Sequence, residues 1–170
     1  GPILRAKEII PQFKNNLPFK LDNIYIGCRR IIIGLFLKVV LADNISIFVD
    51  EGFLISPDNL SAIDVWTLAF LFGFQIYFDF SAYSLIAIGS ARMMGIFFPN
   101  NFNFPYISSS PKDFWQRWHI SLSSWIRDYL YLPLNKFKVI NRSEGGLAKA
   151  VKTRGSNKSL FLTMGIMGLW

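Results

Sequence analysis

From Val65 to Phe78 the chain reads VWTLAFLFGFQIYF without one charged residue, and after Asp79 it runs uncharged again from Phe80 to Ala91. A helix rises about 1.5 Å per residue, so roughly 20 apolar residues cross the hydrocarbon core of a bilayer. This stretch is long enough to do so. A second run, Ile31 to Val49, is broken only by Lys38 and Asp43, and a third begins at Ser159 as SLFLTMGIMGLW. A soluble domain of 170 residues could not bury three such helices on all sides. The composition, 52% hydrophobic and 16% aromatic, agrees with that reading but does not force it, because soluble domains also approach half apolar. The chain is therefore read as all-α, a polytopic helical membrane protein. About three membrane-spanning segments are expected, with one interfacial or re-entrant helix.

The charges orient it. No Lys or Arg occurs between Asp43 and Ala91, while Lys112 to Lys158 holds ten of the 18 basic residues. Basic residues mark cytoplasmic loops. Residues 1–30 are thus expected as a cytoplasmic-side segment, 31–49 as a span, and 50–64, with Asp50, Glu51, Asp58 and Asp64, as an external acidic loop. Residues 65–92 form the next span, 111–132 the interfacial or re-entrant helix, 135–158 a basic cytoplasmic loop, and 159–170 the start of a further span. The net charge of +7 is accounted for by topology, and no nucleic-acid partner is expected. Cys28 is the lone cysteine, so no internal disulfide forms, and no metal-ligand spacing is visible. A start at Gly-Pro rather than Met, and an end inside an apolar run, suggest an internal piece of a longer protein.

The stretch FWQRWHISLSSWIRDYLYLPL, 114–134, holds the chain's single histidine, His119. Ser108 to Ser110 can cap a helix there, with Pro111 in its first turn and Asp113 close behind. Trp118, Leu122, Trp125 and Tyr129 follow at spacings of four, three and four, one continuous aromatic stripe, and Pro133 is expected to end the helix. Two readings of His119 stand on the residues alone. In one it satisfies a hydrogen bond on an amphipathic interfacial helix. In the other, bulky apolar neighbours keep the imidazole neutral and leave it a candidate base in a membrane pocket.

The same segment, as DFWQRWHISLSSWIRDYLYLPL, closely resembles the signature of the membrane-bound O-acyltransferases, in their bacterial alginate O-acetyltransferase-like branch. The likeness extends to GPILRAKEIIPQF, to GLFLKVVLADNISIFVD and to FQIYFDFSAYSLIAIGSARMMGIFFPNNFNFPY, in family order over about the first 135 residues. After Pro133 the chain departs from the family pattern, reading LNKFKVINRSEGG. The resemblance implies a membrane enzyme that moves an acyl group, typically acetyl, from a cytoplasmic donor to hydroxyls of an extracytoplasmic polysaccharide. Acetyl-CoA is the implied donor, periplasmic or surface acetylation proteins the implied partners, and the bacterial cytoplasmic membrane the implied location. His119 matches one of the family's two histidines. The other, usually regarded as the more central, follows a Gly-Leu-Trp, which here is Gly168, Leu169 and Trp170, the last three residues, so His119 is expected to position or polarise the donor or assist proton transfer alongside it. Arg117 and Arg127 are candidates for the donor's phosphates, against a role as helix-end anchors. Asp79 is read as a polar support of the reaction tunnel or as an inter-helix hydrogen bond. Transfer of D-alanine to teichoic acid, acetylation of peptidoglycan, and a transporter or channel segment are the alternatives.

Overall fold

The computed structural model describes residues 1–14, 20–134 and 157–169, and every described element is helical. The chain divides into two compact units, Gly1–Ser121 and Leu122–Trp170.

In the first unit a short helix α1 (Ala6–Lys14) precedes two long ones, α2 (Leu21–Leu54) and α3 (Ala62–Met93). At 34 and 32 residues, each exceeds what the apolar core of a bilayer requires. Both are longer than the apolar runs that announce them. The α2 helix begins at Leu21 rather than Ile31 and carries Arg29 and Arg30 within it. It also continues to Leu54, which shortens the connection read as an acidic loop to the few residues before Ser61. Helical hydrogen bonding does not stop where the apolar residues do, so charged turns extend both helices.

The ends of α3 are specified by local chemistry. The Ser61 hydroxyl accepts from the Asp64 amide at 3.3 Å, and the Asp64 carboxylate accepts from the Ser61 amide at 2.9 Å. That reciprocal pair satisfies two donors a helix start leaves open. At the other end Gly95 takes a φ of 80°. Its amide donates to the Arg92 carbonyl and that of Ile96 to Ala91, both at 2.9 Å, closing the helix with a left-handed glycine turn.

The α2 and α3 helices meet through small residues. A Cβ on Gly27 would lie 2.6 Å from the Gly89 carbonyl, and one on Gly89 would lie 2.7 Å from the Gly27 carbonyl. Where lipid removes the hydrophobic drive between helices, such close backbone approach supplies the packing. Gly89→Val is therefore expected to force the helices apart, at about 1–3 kcal/mol of overpacking. A lowered thermal midpoint in detergent checks this. Large apolar side chains face outward along both helices, among them Ile32, Phe48, Trp66 and Phe70, as they would toward lipid or further helices.

The middle of α2, Phe36–Ala42, is π-helical. Its Lys38 Nζ contacts Asp43 Oδ1 at 2.9 Å and reaches across to Asp79 Oδ1 on α3 at 2.6 Å. Asp79 is thus one half of an inter-helix ion pair. Asn44 Nδ2 donates to the Val39 and Val40 carbonyls, serving backbone acceptors where the wide turn ends.

The segment expected as one helix over 111–132 is interrupted. Pro111–Arg117 forms α4, residues 118 and 119 leave the helix, and α5 resumes as Ile120–Ile126. The anticipated cap is present: Ser110 Oγ accepts from the Asp113 amide at 3.2 Å, with Pro111 at the first position. In the second unit, Arg127–Tyr131 is π-helical and Leu132–Leu134 makes a last turn, so the helix passes Pro133. There α6 (Asn157–Leu169) approaches this turn, with the Ser159 hydroxyl 3.5 Å from the Leu134 carbonyl. The basic loop expected at 135–158 lies, up to residue 156, outside the described residues.

Candidate active site

The break in the helix is where His119 sits. Its φ is 41°, a left-handed conformation that disfavours any residue with a Cβ. The backbone is held there from outside. The Asn103 amide donates to the Arg117 carbonyl, and the Ile120 amide donates to the Asn101 carbonyl, both at 2.9 Å. Helical periodicity continues across Trp118, Leu122, Trp125 and Tyr129, but the loop at 101–103 takes hydrogen-bonding groups that a continuous helix would use. The loop decides the geometry.

Around the imidazole the structure gathers aromatic rings from three elements. Phe80 on α3 lies edge-on with ring centroids 4.6 Å apart, and Phe102 from the loop lies nearly parallel at 6.5 Å. Trp118 continues the cluster, 5.1 Å from Phe102, 6.1 Å from Tyr77 and 5.7 Å from Phe114. Tyr106 secures this wall to α3 by donating its hydroxyl hydrogen to the Gly73 carbonyl at 2.7 Å.

The Nε2 of His119 is buried and has no hydrogen-bond partner among the described residues. With its proton on Nδ1, the neutral ring carries its lone pair on Nε2. Burial among apolar rings pushes the imidazole below the ordinary histidine range, because the charged form loses hydration. A neutral imidazole with one buried, unengaged nitrogen can accept a proton from a hydroxyl brought to it.

Of the other two predicted site residues, Arg117 precedes His119 by two positions but is engaged elsewhere. Its Nε is 2.8 Å from Asp113 Oδ1, and Nη1 approaches the Asn103 carbonyl at 3.5 Å. Arg117 braces α4 against the loop. Its guanidinium holds the Asp113 carboxyl below the usual carboxylate range. Arg127 belongs to the second unit and pairs with Asp128 at 2.8 Å.

One residue not named as a site residue from the sequence is Asn101. It is 1% exposed, and its amide links the spanning helix to the histidine turn. Nδ2 donates to Ser84 Oγ on α3 at 3.1 Å, and Oδ1 accepts from the Ser121 hydroxyl at 2.8 Å and from the Ser121 amide at 3.3 Å. The sequence signal was the asparagine-rich loop PNNFNFPY, part of the family resemblance, without a hint of which asparagine is buried.

Two long apolar helices, with a half-buried imidazole held beside them in a strained turn, are the features of a helical membrane protein. The chain belongs to the membrane-bound O-acyltransferase family, whose family model matches residues 1–144. It is 44% identical over 170 residues to the probable alginate O-acetylase AlgI of Pseudomonas putida, covering 100% of this chain and 32% of that protein. It is 45% identical over 141 residues to the peptidoglycan O-acetyltransferase of Helicobacter pylori, covering 82% of this chain and 27% of that protein. The teichoic acid D-alanyltransferase of Bacillus subtilis is 36% identical over 157 residues, covering 88% of this chain and 36% of that protein. The chain thus spans about a third of the length of the curated relatives it matches.

Proposed function

We propose that this chain is the part of a membrane O-acyltransferase that carries a catalytic histidine, and that the intact protein acetylates hydroxyls of an extracytoplasmic polysaccharide. The observation that carries the reading is the bare Nε2 of His119, buried in an aromatic pocket beside a membrane-spanning helix. In the reaction, an acceptor hydroxyl attacks the thioester carbonyl of acetyl-CoA. His119 Nε2 takes the hydroxyl proton as the new C–O bond forms. The C–S bond then breaks, and the departing thiolate takes that proton from His119 to leave as the free thiol, which restores the neutral imidazole. The surrounding rings exclude water, which would otherwise compete for the acetyl group.

The names of the relatives support acyl transfer to cell-envelope polymers, and the alginate O-acetylases, alike over the whole chain, favour an alginate-like polysaccharide. Peptidoglycan and teichoic acid are the competing acceptors, favoured by the two further relatives. The reading also includes a multi-pass protein of the bacterial cytoplasmic membrane, a donor approaching from the cytoplasm, and periplasmic or surface proteins that complete the transfer. Arg117 acts as a brace within it, since its guanidinium is engaged by Asp113.

Cells expressing the intact protein, fed labelled acetate, test the proposal. Base-labile label on an exported polysaccharide supports it. Label confined to peptidoglycan, or D-alanine released from teichoic acid instead, would move the activity to that polymer. The pH dependence follows from the histidine. A base whose pKa lies below the ordinary range stays unprotonated to lower pH and fails only as pH falls through that lowered value. Transfer rates measured across the acid range should hold through pH ~6.5, the ordinary histidine value, and decline below it.

A further inference from the structure

Resting on the reading of His119 as the base, we infer that Asn101 is the positioning residue for the reaction, fixing the histidine turn to the spanning helix through a buried chain of polar side chains. The chain runs Ser84, Asn101, Ser121, and each member is buried: 2%, 1% and 5% exposed. The two ends belong to different parts of the fold. Ser84 sits on α3, one turn after Phe80, whose ring lies against the imidazole. Ser121 is two residues past His119 and its hydroxyl also accepts from the Ile3 amide at 2.9 Å.

A polar group placed in so apolar a setting costs free energy unless it is satisfied, and these satisfy one another. The amide of Asn101 is suited to the place because it accepts and donates from one planar group. Oδ1 takes both the hydroxyl and the backbone amide of Ser121, while Nδ2 is anchored on Ser84. Its own carbonyl takes the Ile120 amide. Asn101 therefore holds the two residues after His119 by three hydrogen bonds, at the turn where the histidine backbone is left-handed. Without the two side-chain bonds the turn keeps its backbone hydrogen bonds, from Ile120 to Asn101 and from Asn103 to Arg117, but the imidazole is freer to leave Phe80. A reacting group displaced by about 1 Å can lose on the order of a hundredfold in rate.

The test uses the intact membrane protein, with Asn101→Ala, Ser84→Ala and Ser121→Ala. Carbethoxylation of His119 by diethyl pyrocarbonate is followed by peptide mass mapping, and alkylation of Cys28 on α2 reports general loosening. For Asn101→Ala, His119 modification should accelerate at least about fivefold, with Cys28 alkylation unchanged, as a local opening would produce. Acetyl transfer from acetyl-CoA should fall in kcat by about a hundredfold, with KM for the donor within about twofold. The serine variants, each removing one hydroxyl, should shift both readings the same way by less, and they carry the test if Asn101→Ala does not fold. Unchanged His119 modification in folded variants would overturn the positioning role, whatever happens to activity. So would equal acceleration at Cys28, which would mean general loosening. Accelerated His119 modification alongside a fully active His119→Ala protein would leave the positioning intact and overturn the catalytic reading on which it rests.

Discussion

In the intact protein, His119→Ala should lower acetyl transfer by at least about a hundredfold, the low end of what a positioned general base contributes. Membrane insertion and abundance should stay normal. The two effects separate because the imidazole does little for the fold: its Nε2 has no partner to lose, and its backbone conformation is one that alanine also disfavours. His119→Gln is the sharper variant. It keeps bulk and a polar end but cannot take a proton, so it should be nearly as inactive as alanine. Wild-type acetylation by either variant at equal abundance would sink the assignment.

The second large effect is expected at Lys38. Its ammonium stands between Asp43 and Asp79, near the middle of two membrane-spanning helices. Lys38→Met leaves two carboxylates and removes the cation they share. Intramembrane charge costs on the order of 3 kcal/mol even on scales that give low values, so the folded protein should lose about that much stability. Asp79→Asn should be much milder, because Lys38 keeps Asp43 at 2.9 Å. Thermal midpoints in detergent and steady-state abundance in membranes distinguish the two. Equal losses in both variants would mean that the cation is not shared as the geometry shows.

Much of the fold was legible because the physics behind it is local. A bilayer demands long apolar runs, and these were visible at 31–49 and 65–92 despite a few charges. The cap at Ser110 and Pro111 could be read residue by residue. What could not be read depends on groups distant in sequence. Trp118, Leu122, Trp125 and Tyr129 keep helical spacing straight through a place where the helix is broken. The cause is the backbone of residues 101 and 103, which no periodicity reports. Lys38 looked like an interruption, and Asp79 was read as a tunnel support or an inter-helix hydrogen bond with no partner named, because their pairing exists only once α2 and α3 lie side by side. For the site, His119 was found from its rarity and its setting. Asn101, which holds the turn, was hidden among the other asparagines of its loop.

The left-handed backbone at His119 also bears on how this protein would respond to stabilisation by design. Glycine is the residue that such a φ favours, and strain of about 1–3 kcal/mol is typical of a side chain held there. A variant library ranked on thermal tolerance alone would therefore tend to enrich His119→Gly and erase the imidazole. Robustness and reactivity pull in opposite directions at this one position, so any such screen has to carry a readout of turnover beside the heat challenge.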